Sequence, residues 1–202
     1  MELVTARLRI DALRPADADG LFACRADPAV ARYQGWCPVD LAAARAFIEA
    51  QPQPPAQGWF QRAIRRREGG ALIGDLGVCL PENPQDSVEF GISIAPPHQG
   101  RGYAGEAVRA LFAFVFDGLG RHRVHASVDP RNLASMAMLR ALGMRQEAHH
   151  RESLWFKDEW VDDVVFAMLQ SEWRTRQAGR PVFPAPRTIP CGPSRHHDDG
   201  DT

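Results

Sequence analysis

Hydrophobic and polar residues alternate along several short stretches of the chain, and glycine and proline separate these stretches. The segment RLRIDAL at 7–13 alternates with a period of two residues and predicts a first strand. Three further strand-like segments follow at 59–68, 71–80 and 87–95, with a pair of glycines and the turn-rich PENPQD between them. Strands at this spacing, with these breakers, predict an antiparallel meander.

Helical periodicity predicts further elements. The segment 16–33 predicts one or two short helices, and Asp40 is placed to cap a helix over 41–51. After Gly102 the chain carries apolar residues at spacings of three and four, which predicts a helix with one buried stripe. The residues of that stripe are Ala104, Ala107, Val108, Leu111 and Val115.

The last third of the chain adds a strand at 122–129, a helix over 132–143 that ends at Gly143, and two strands around the turn KDE. We expect one domain over residues 1–175. From 176 to 202 the sequence is rich in proline and polar residues without periodicity, which predicts a disordered or loosely packed tail.

Composition excludes several classes of protein. The 24 basic and 25 acidic residues nearly cancel, which gives no indication of nucleic acid or an anionic membrane as partner. No apolar run approaches the roughly 20 residues that span a bilayer, and the N-terminus lacks a secretion-signal pattern. We therefore expect a cytoplasmic protein whose scattered cysteines are reduced. We also expect no metal site, not even at the HHDD segment of the tail. These cysteines are Cys24, Cys37, Cys79 and Cys191.

The segment GRGYAG at 100–105 matches G-x-G-x-x-G, the fingerprint of a loop that binds a dinucleotide pyrophosphate. A strand precedes it, a helix follows, and Asp129 ends the next strand about where a ribose-binding acid is expected. However, Pro96 and Pro97 separate the strand from the first glycine, where that fold requires a tight turn. Too little chain follows to complete a doubly wound parallel sheet, so a nicotinamide-dependent reductase is the less favoured interpretation.

The loop still has the properties of an anion site. Gly100 and Gly102 allow a sharp turn that exposes successive N–H groups, and Arg101 adds positive charge. The helix that begins near Gly102 directs its positive dipole end and its unpaired donors to the same place. The sequence therefore predicts a site for phosphate or pyrophosphate here.

A second motif covers more of the chain. QGRGYA at 99–104 also matches Q/R-x-x-G-x-G/A, and NLASMAMLRALGM and WFKDEWVDD follow later. In this combination the chain resembles the GNAT superfamily of N-acetyltransferases, and most closely the branch that acetylates N-terminal amines of ribosomal proteins. The resemblance extends from about residue 4 to 172.

The resemblance implies a mixed α/β (α+β) fold with a central, mostly antiparallel sheet flanked by helices, and a splayed strand pair at the coenzyme site. It implies direct transfer of acetyl from acetyl-CoA to a primary amine of a protein N-terminus or a small molecule, and a homodimer is a family-level expectation. The implied coenzyme-binding residues are Ser93, Ile94, Ala95, Gln99, Gly100, Arg101, Gly102, Tyr103, Ala104, Asn132 and Ser135.

Catalytic candidates follow from the same resemblance. Alternation in SVEFGISI places Glu89 and Gly91 on the polar face of a strand, and the family uses a carboxylate there as a base through water. A carboxylate paired with an arginine is the alternative. Ser135 matches a serine near the thiol sulfur, whereas the tyrosine acid of many relatives is replaced by Leu139. Asn132 is a helix cap, a coenzyme contact, or both.

The acceptor amine has no sequence motif of its own. Tyr33, Trp36 and Trp59 lie in segments that this family uses to wall the acceptor site, and core packing explains them equally well. A non-catalytic acyl-CoA-binding sensor is the alternative function.

Overall fold

The computed structural model describes residues 1–52 and 57–178. Its strands form one eight-stranded sheet in the order β1-β2-β3-β4-β5-β6-β8-β7. β5 and β6 are parallel, and the other neighbouring strands are antiparallel. The strands are β1 Leu3–Val4, β2 Leu8–Ala12, β3 Gly58–Arg66, β4 Leu72–Leu80, β5 Val88–Ile94, β6 Arg123–Val128, β7 Arg145–Phe156 and β8 Glu159–Leu169.

Helices connect and cover these strands. They are α1 Ala18–Ala26, α2 Pro28–Ala31, α3 Leu41–Glu49, α4 Tyr103–Phe112, α5 Leu133–Leu142 and α6 Gln170–Ala178. The last turns of α4 widen into a π-helical segment at Ala113–Gly118. Within the described ranges, no helix is long and apolar enough to cross a membrane.

These elements confirm the predicted meander, the helix after Gly102 and the closing strand pair. β1 was not predicted, because two residues carry no periodic signal. α6 ends at Ala178, three residues after the position where the predicted domain ends. The residues from 179 to 202, with Cys191, lie outside the described residues. The three described cysteines are free thiols.

Local capping explains where the helices begin and end. The Asp40 carboxylate accepts a hydrogen bond from the Ala43 amide at 2.7 Å and starts α3 as predicted. Asp27 caps the short α2 in the same way, through the Ala29 amide at 2.9 Å. α5 ends at Gly143, which has a φ of 90°.

Successive strand residues project to opposite faces, and two cores result. On one face, Val88 and Phe90 of β5 pack with Val108 and Leu111 of α4 in the larger core. The other face carries a smaller core, in which Ala63 of β3 packs with residues of α1 and α3. We call these the α4 face and the α1 face.

A charged network holds the segment before α1 against the sheet. Arg65 of β3 donates to Asp11 at 2.7 Å and to Asp17 at 2.6 Å, and the three side chains are buried. Burial opposes the charge of Asp17, but hydrogen bonds from Arg65 and from the Arg14 amide outweigh it and lower the pKa of Asp17. Asp17 is therefore ionised in the fold over the whole neutral range.

This network predicts a pH-dependent stability. Because the native pKa of Asp17 lies below its unfolded value near 3.8, its contribution is complete above that value and is lost as the pH falls through the native pKa. We expect Asp17→Asn to lower the free energy of unfolding by roughly 2 kcal/mol at pH 7, and by progressively less in acid. Urea denaturation between pH 3 and 7 measures this, with the exposed Asp19→Asn as control. Equal pH profiles for both variants would contradict the prediction.

Candidate active site

The sheet opens between β5 and β6. In the described chain, their register comprises Val88 opposite Val124 and Glu89 opposite His125. Beyond these pairs β5 stays with β4 as far as Ile94, whereas β6 stays with β8. The two strands therefore splay apart, and this confirms the predicted sheet architecture.

The backbone of β5 presents hydrogen-bonding groups to this gap. The Ala95 amide donates to the Ile73 carbonyl at 2.9 Å, so it faces β4. Since neighbouring residues of a strand point their N–H and C=O groups to opposite sides, those of Ile94 and Ile92 face the gap. The Ile94 carbonyl indeed accepts a hydrogen bond from the Gln99 side chain at 2.7 Å.

The glycine loop turns directly into α4. Gly100 and Gly102 have φ values of 70° and 77°, a conformation that favours glycine, and Gly102 caps α4. The amides at 103–105 belong to the first helical turn, which leaves its N–H groups without carbonyl partners in the helix. Loop and helix thus form the predicted concentration of donors and positive dipole.

Two backbone amides of the implied coenzyme-binding residues already have partners within the fold. The Ala95 amide is already bonded to β4, and the Gln99 amide donates to the Pro96 carbonyl at 3.2 Å. Gln99 supports the loop through its side chain instead. Neither amide is thus available to a ligand.

An ion pair between the segment before β2 and α4 anchors the glycine loop. The sequence did not indicate this ion pair. Glu106 of α4 accepts hydrogen bonds from Thr5 Oγ1 at 2.5 Å and from Arg7 Nε at 2.6 Å. Arg7 also donates to the Arg101 carbonyl at 3.0 Å and lies over the Tyr103 ring. Burial opposes the charge of Glu106, yet these hydrogen bonds lower its pKa. No sequence motif links residues so far apart in the chain.

A cavity of about 770 Å³ fills the gap between β5, the glycine loop and α5. Ser93 Oγ is buried there without a hydrogen-bond partner in the described chain. Arg109 lines the cavity although it was not predicted, whereas Ala95 and Arg101 do not line it. The predicted coenzyme residues that do line it are Ser93, Ile94, Gln99, Gly100, Gly102, Tyr103, Ala104, Asn132 and Ser135.

The head of α5 forms one wall of the cavity. Asn132 Oδ1 accepts the Ser135 amide at 3.1 Å, so the predicted capping role is confirmed. Both residues also line the cavity, so Asn132 keeps its amide nitrogen for a second partner. The two alternatives for this residue are compatible.

A smaller cavity of about 90 Å³ continues from the large one into the splay. Gly91 of β5 and Ser127 of β6 line it, and a Cβ atom added at Gly91 would meet no atom within 4 Å. Asp129 also lines it and is held by Arg131 through a 2.6 Å hydrogen bond. This narrow space lies between the diverging ends of β5 and β6.

A buried ion pair fixes the junction of the two cavities. Arg25 of α1 pairs with Asp75 of β4, with 2.9 Å between Nε and Oδ1, and both side chains are buried. Arg25 also donates to Gln34 Oε1 at 2.6 Å. Since a guanidinium only donates, Gln34 directs its NH₂ group away from Arg25, and Gln34 lines both cavities.

The remaining predicted residues are distributed unevenly. Tyr33 lines both cavities, whereas Trp36 stacks on Phe47 in the smaller core and Trp59 is 53% exposed. Glu89 lines neither cavity. It lies two residues before Gly91 in β5, on the same α1 face of the sheet. The structure thus brings Tyr33 and Ser135 together in the walls of both cavities and leaves Glu89 and the two tryptophans outside those walls.

Comparison with known proteins gives consistent matches. Residues 7–145 match the family model described as an acetyltransferase (GNAT) domain. A Bacillus licheniformis protein named as an uncharacterized N-acetyltransferase is 30% identical over 173 residues, 85% of this chain and 97% of that protein. The crystal structure of a GNAT-family acetyltransferase from Bacillus anthracis has a TM-score of 0.78 at 23% identity, with coverage of 85% and 100%.

A further relative matches a smaller part of the chain. The [ribosomal protein uS5]-alanine N-acetyltransferase of Escherichia coli (strain K12) is 30% identical over 84 residues, which cover 42% of this chain and 43% of that protein.

The backbone of the glycine loop yields a prediction about stability. A side chain at Gly102 must adopt a φ of 77°, which costs about 1–2 kcal/mol, although a Cβ there would only approach Arg7 at 3.5 Å. We expect Gly102→Ala to lower the free energy of unfolding by about 1 kcal/mol. Gly105→Ala, in the first turn of the same helix, is the matched control and should stabilise slightly. Equal urea midpoints for both variants would exclude a strained loop.

Proposed function

Since the chain belongs to the GNAT family of N-acetyltransferases, we propose that it transfers the acetyl group of acetyl-CoA directly to a primary amine. The observation that carries this proposal is the splay of β5 and β6, with a glycine loop at one end and Glu89 at the other. It provides a donor site and an acceptor site that meet between two strands.

The cavity suits a long, flexible coenzyme with a charged end. The free amides at 103–105 and the N-terminus of α4 bind the pyrophosphate, and Arg109 adds positive charge beside them. The backbone of Ile92 and Ile94 pairs with the amides of the pantetheine arm as an additional strand would. Asn132 binds the same arm from the opposite wall. Acetyl-CoA supplies an activated thioester, and the chain supplies its placement.

The chemistry requires three groups. Glu89 removes a proton from the acceptor ammonium, directly or through one water molecule. A backbone amide of the β5 edge stabilises the charge that develops on the carbonyl oxygen. Ser135 lies in the wall shared by the two cavities and protonates the departing thiolate. No covalent intermediate is needed, because placement of both reactants alone lowers the barrier.

The acceptor enters from the α1 face, where Gly91 leaves the strand surface open. Tyr33 and Gln34 form its boundary on the side of α2. A protein N-terminus and a small-molecule amine both fit this description. The partial match to a [ribosomal protein uS5]-alanine N-acetyltransferase supports a protein acceptor, and membership of that branch stays a prediction.

Binding of the donor is the first test of this proposal. We expect acetyl-CoA to bind in isothermal calorimetry, and NADH not to bind. Gly102→Val should weaken acetyl-CoA binding by roughly tenfold or more, because it distorts the loop that carries the phosphate donors. Gly118→Ala, at the far end of the same helical segment and outside both cavities, controls for changes in helix stability. Binding of NADH without acetyl-CoA would instead indicate a dinucleotide loop.

Turnover tests the role of Glu89. We expect Glu89→Gln to reduce kcat by roughly a hundredfold in a thiol-release assay with a panel of amines, and to leave the affinity for acetyl-CoA unchanged. The exposed Glu82→Gln is the matched control. Acetyl-CoA binding without turnover of any amine or peptide would support the non-catalytic sensor. Full activity of Glu89→Gln would exclude this carboxylate as the base.

A further inference from the structure

The last paired position before the splay brings a second ionisable side chain to Glu89. His125 lies opposite Glu89 in the parallel register, and its Nε2 lies 3.7 Å from Glu89 Oε2. Val88 and Val124 beside them are buried in the larger core, so Glu89 and His125 project to the α1 face. The next residues on that face are Gly91 and Ser127, about 7 Å further along the two strands.

His125 is placed to exchange protons. Its side chain is 26% exposed and that of Glu89 is 35% exposed, so both are within reach of solvent and of an acceptor. Nδ1 is buried and has no hydrogen-bond partner among the described residues. The residue opposite His125 on β8 is Ala167, which offers no polar side chain. A distance of 3.7 Å exceeds that of a formed hydrogen bond but allows an ion pair that closes when a proton arrives.

The other ionisable groups that face this pair are neutral or already engaged. On β4, Cys79 lies opposite Glu89; burial, and then the Glu89 carboxylate, raise the pKa of its thiol. On β6, Arg123 pairs with Glu147 of β7 at 2.8 Å. On β8, Asp163 accepts a hydrogen bond from Ser127 Oγ. Within the described chain, the ion-pair partner of Glu89 is therefore His125.

We propose that His125 is the positioning residue of Glu89 and stores the proton that the acceptor ammonium releases. This inference rests on the proposed function of the site. The ammonium gives one proton to the Glu89 carboxylate, and the proton passes on to His125, which restores the carboxylate. The neutral amine then forms the C–N bond while the C–S bond breaks, and its second proton leaves with sulfur as the thiol.

The physical advantage of the pair lies in the difference between its two bases. A carboxylate in water has a conjugate acid with a pKa near 4, so it holds a proton only briefly at neutral pH. Imidazole changes its charge in the neutral range and can keep the proton until it is released to solvent. In this proposal the transfer to His125 returns Glu89 to its carboxylate form, ready for the next acceptor.

The test compares pH profiles of kcat/KM for an amine that the wild type acetylates. His125→Gln keeps an N–H donor near Glu89 but cannot take up a proton. We expect kcat to fall by roughly tenfold or more, and the acidic limb of the profile to move to lower pH because imidazole no longer titrates. The KM for acetyl-CoA should stay within about twofold. The exposed His122→Gln, three residues earlier in the chain, should keep the wild-type profile.

A double-mutant cycle with Glu89→Gln separates a proton path from a structural role. If both residues act on one proton, His125→Gln adds little to the loss that Glu89→Gln already causes. Fully additive losses would overturn the inference, as would a wild-type profile for His125→Gln in an active enzyme. If His125→Gln fails to bind acetyl-CoA, the smaller His125→Asn replaces it in the same comparison. A wild type that acetylates no amine overturns the proposed function, and this inference with it.

Discussion

The architecture of the site depends on where the pairing between β5 and β6 stops. β5 is held by β4 and β6 by β8, each through six register pairs, so neither strand can follow the other once they diverge. The buried pair of Val88 and Val124 fixes the point of divergence, because its removal from the core would expose both side chains. The gap therefore follows from the strand pairing on either side of it. Its unpaired backbone groups must be satisfied by water or by a ligand.

Buried charges hold the elements around this gap in place. Arg25 with Asp75, and Arg65 with Asp11 and Asp17, tie α1 and the segment before it to the middle of the sheet. Removing one partner from such a group leaves an uncompensated buried charge. Each network therefore favours one position of α1 and of the segment before it against the sheet. The first network ends at Gln34, on the wall shared by the two cavities. The position of that wall is thus coupled to the core of the sheet.

In the proposed function, the two faces of the sheet serve different reactants, one the donor and the other the acceptor. α4 and α5 supply the loop, the dipole and the capped helix head, all of which suit an anionic, extended coenzyme. The α1 face supplies Glu89, His125 and the open strand surface at Gly91, which suit an amine. The proposal places the meeting point of the reactants in the splay, because there the sheet has no strand to separate the faces. One break in strand pairing thereby creates both halves of the proposed site.

The sequence by itself determined the local parts of this protein. Alternation gave the strands of the meander, the spacing after Gly102 gave α4, and Asp40 and Gly143 marked helix ends, since these signals act over a few residues. The family and the glycine loop followed from motifs of the same short range. Only the tertiary structure decided that the Ala95 and Gln99 amides are occupied, that Trp36 packs on Phe47, and that Arg7 and Glu106 anchor the loop. It also placed His125 beside Glu89. The contacts of Ala95, of Arg7 and of His125 join residues far apart in the chain, and strand order and register, which no local pattern encodes, bring them together.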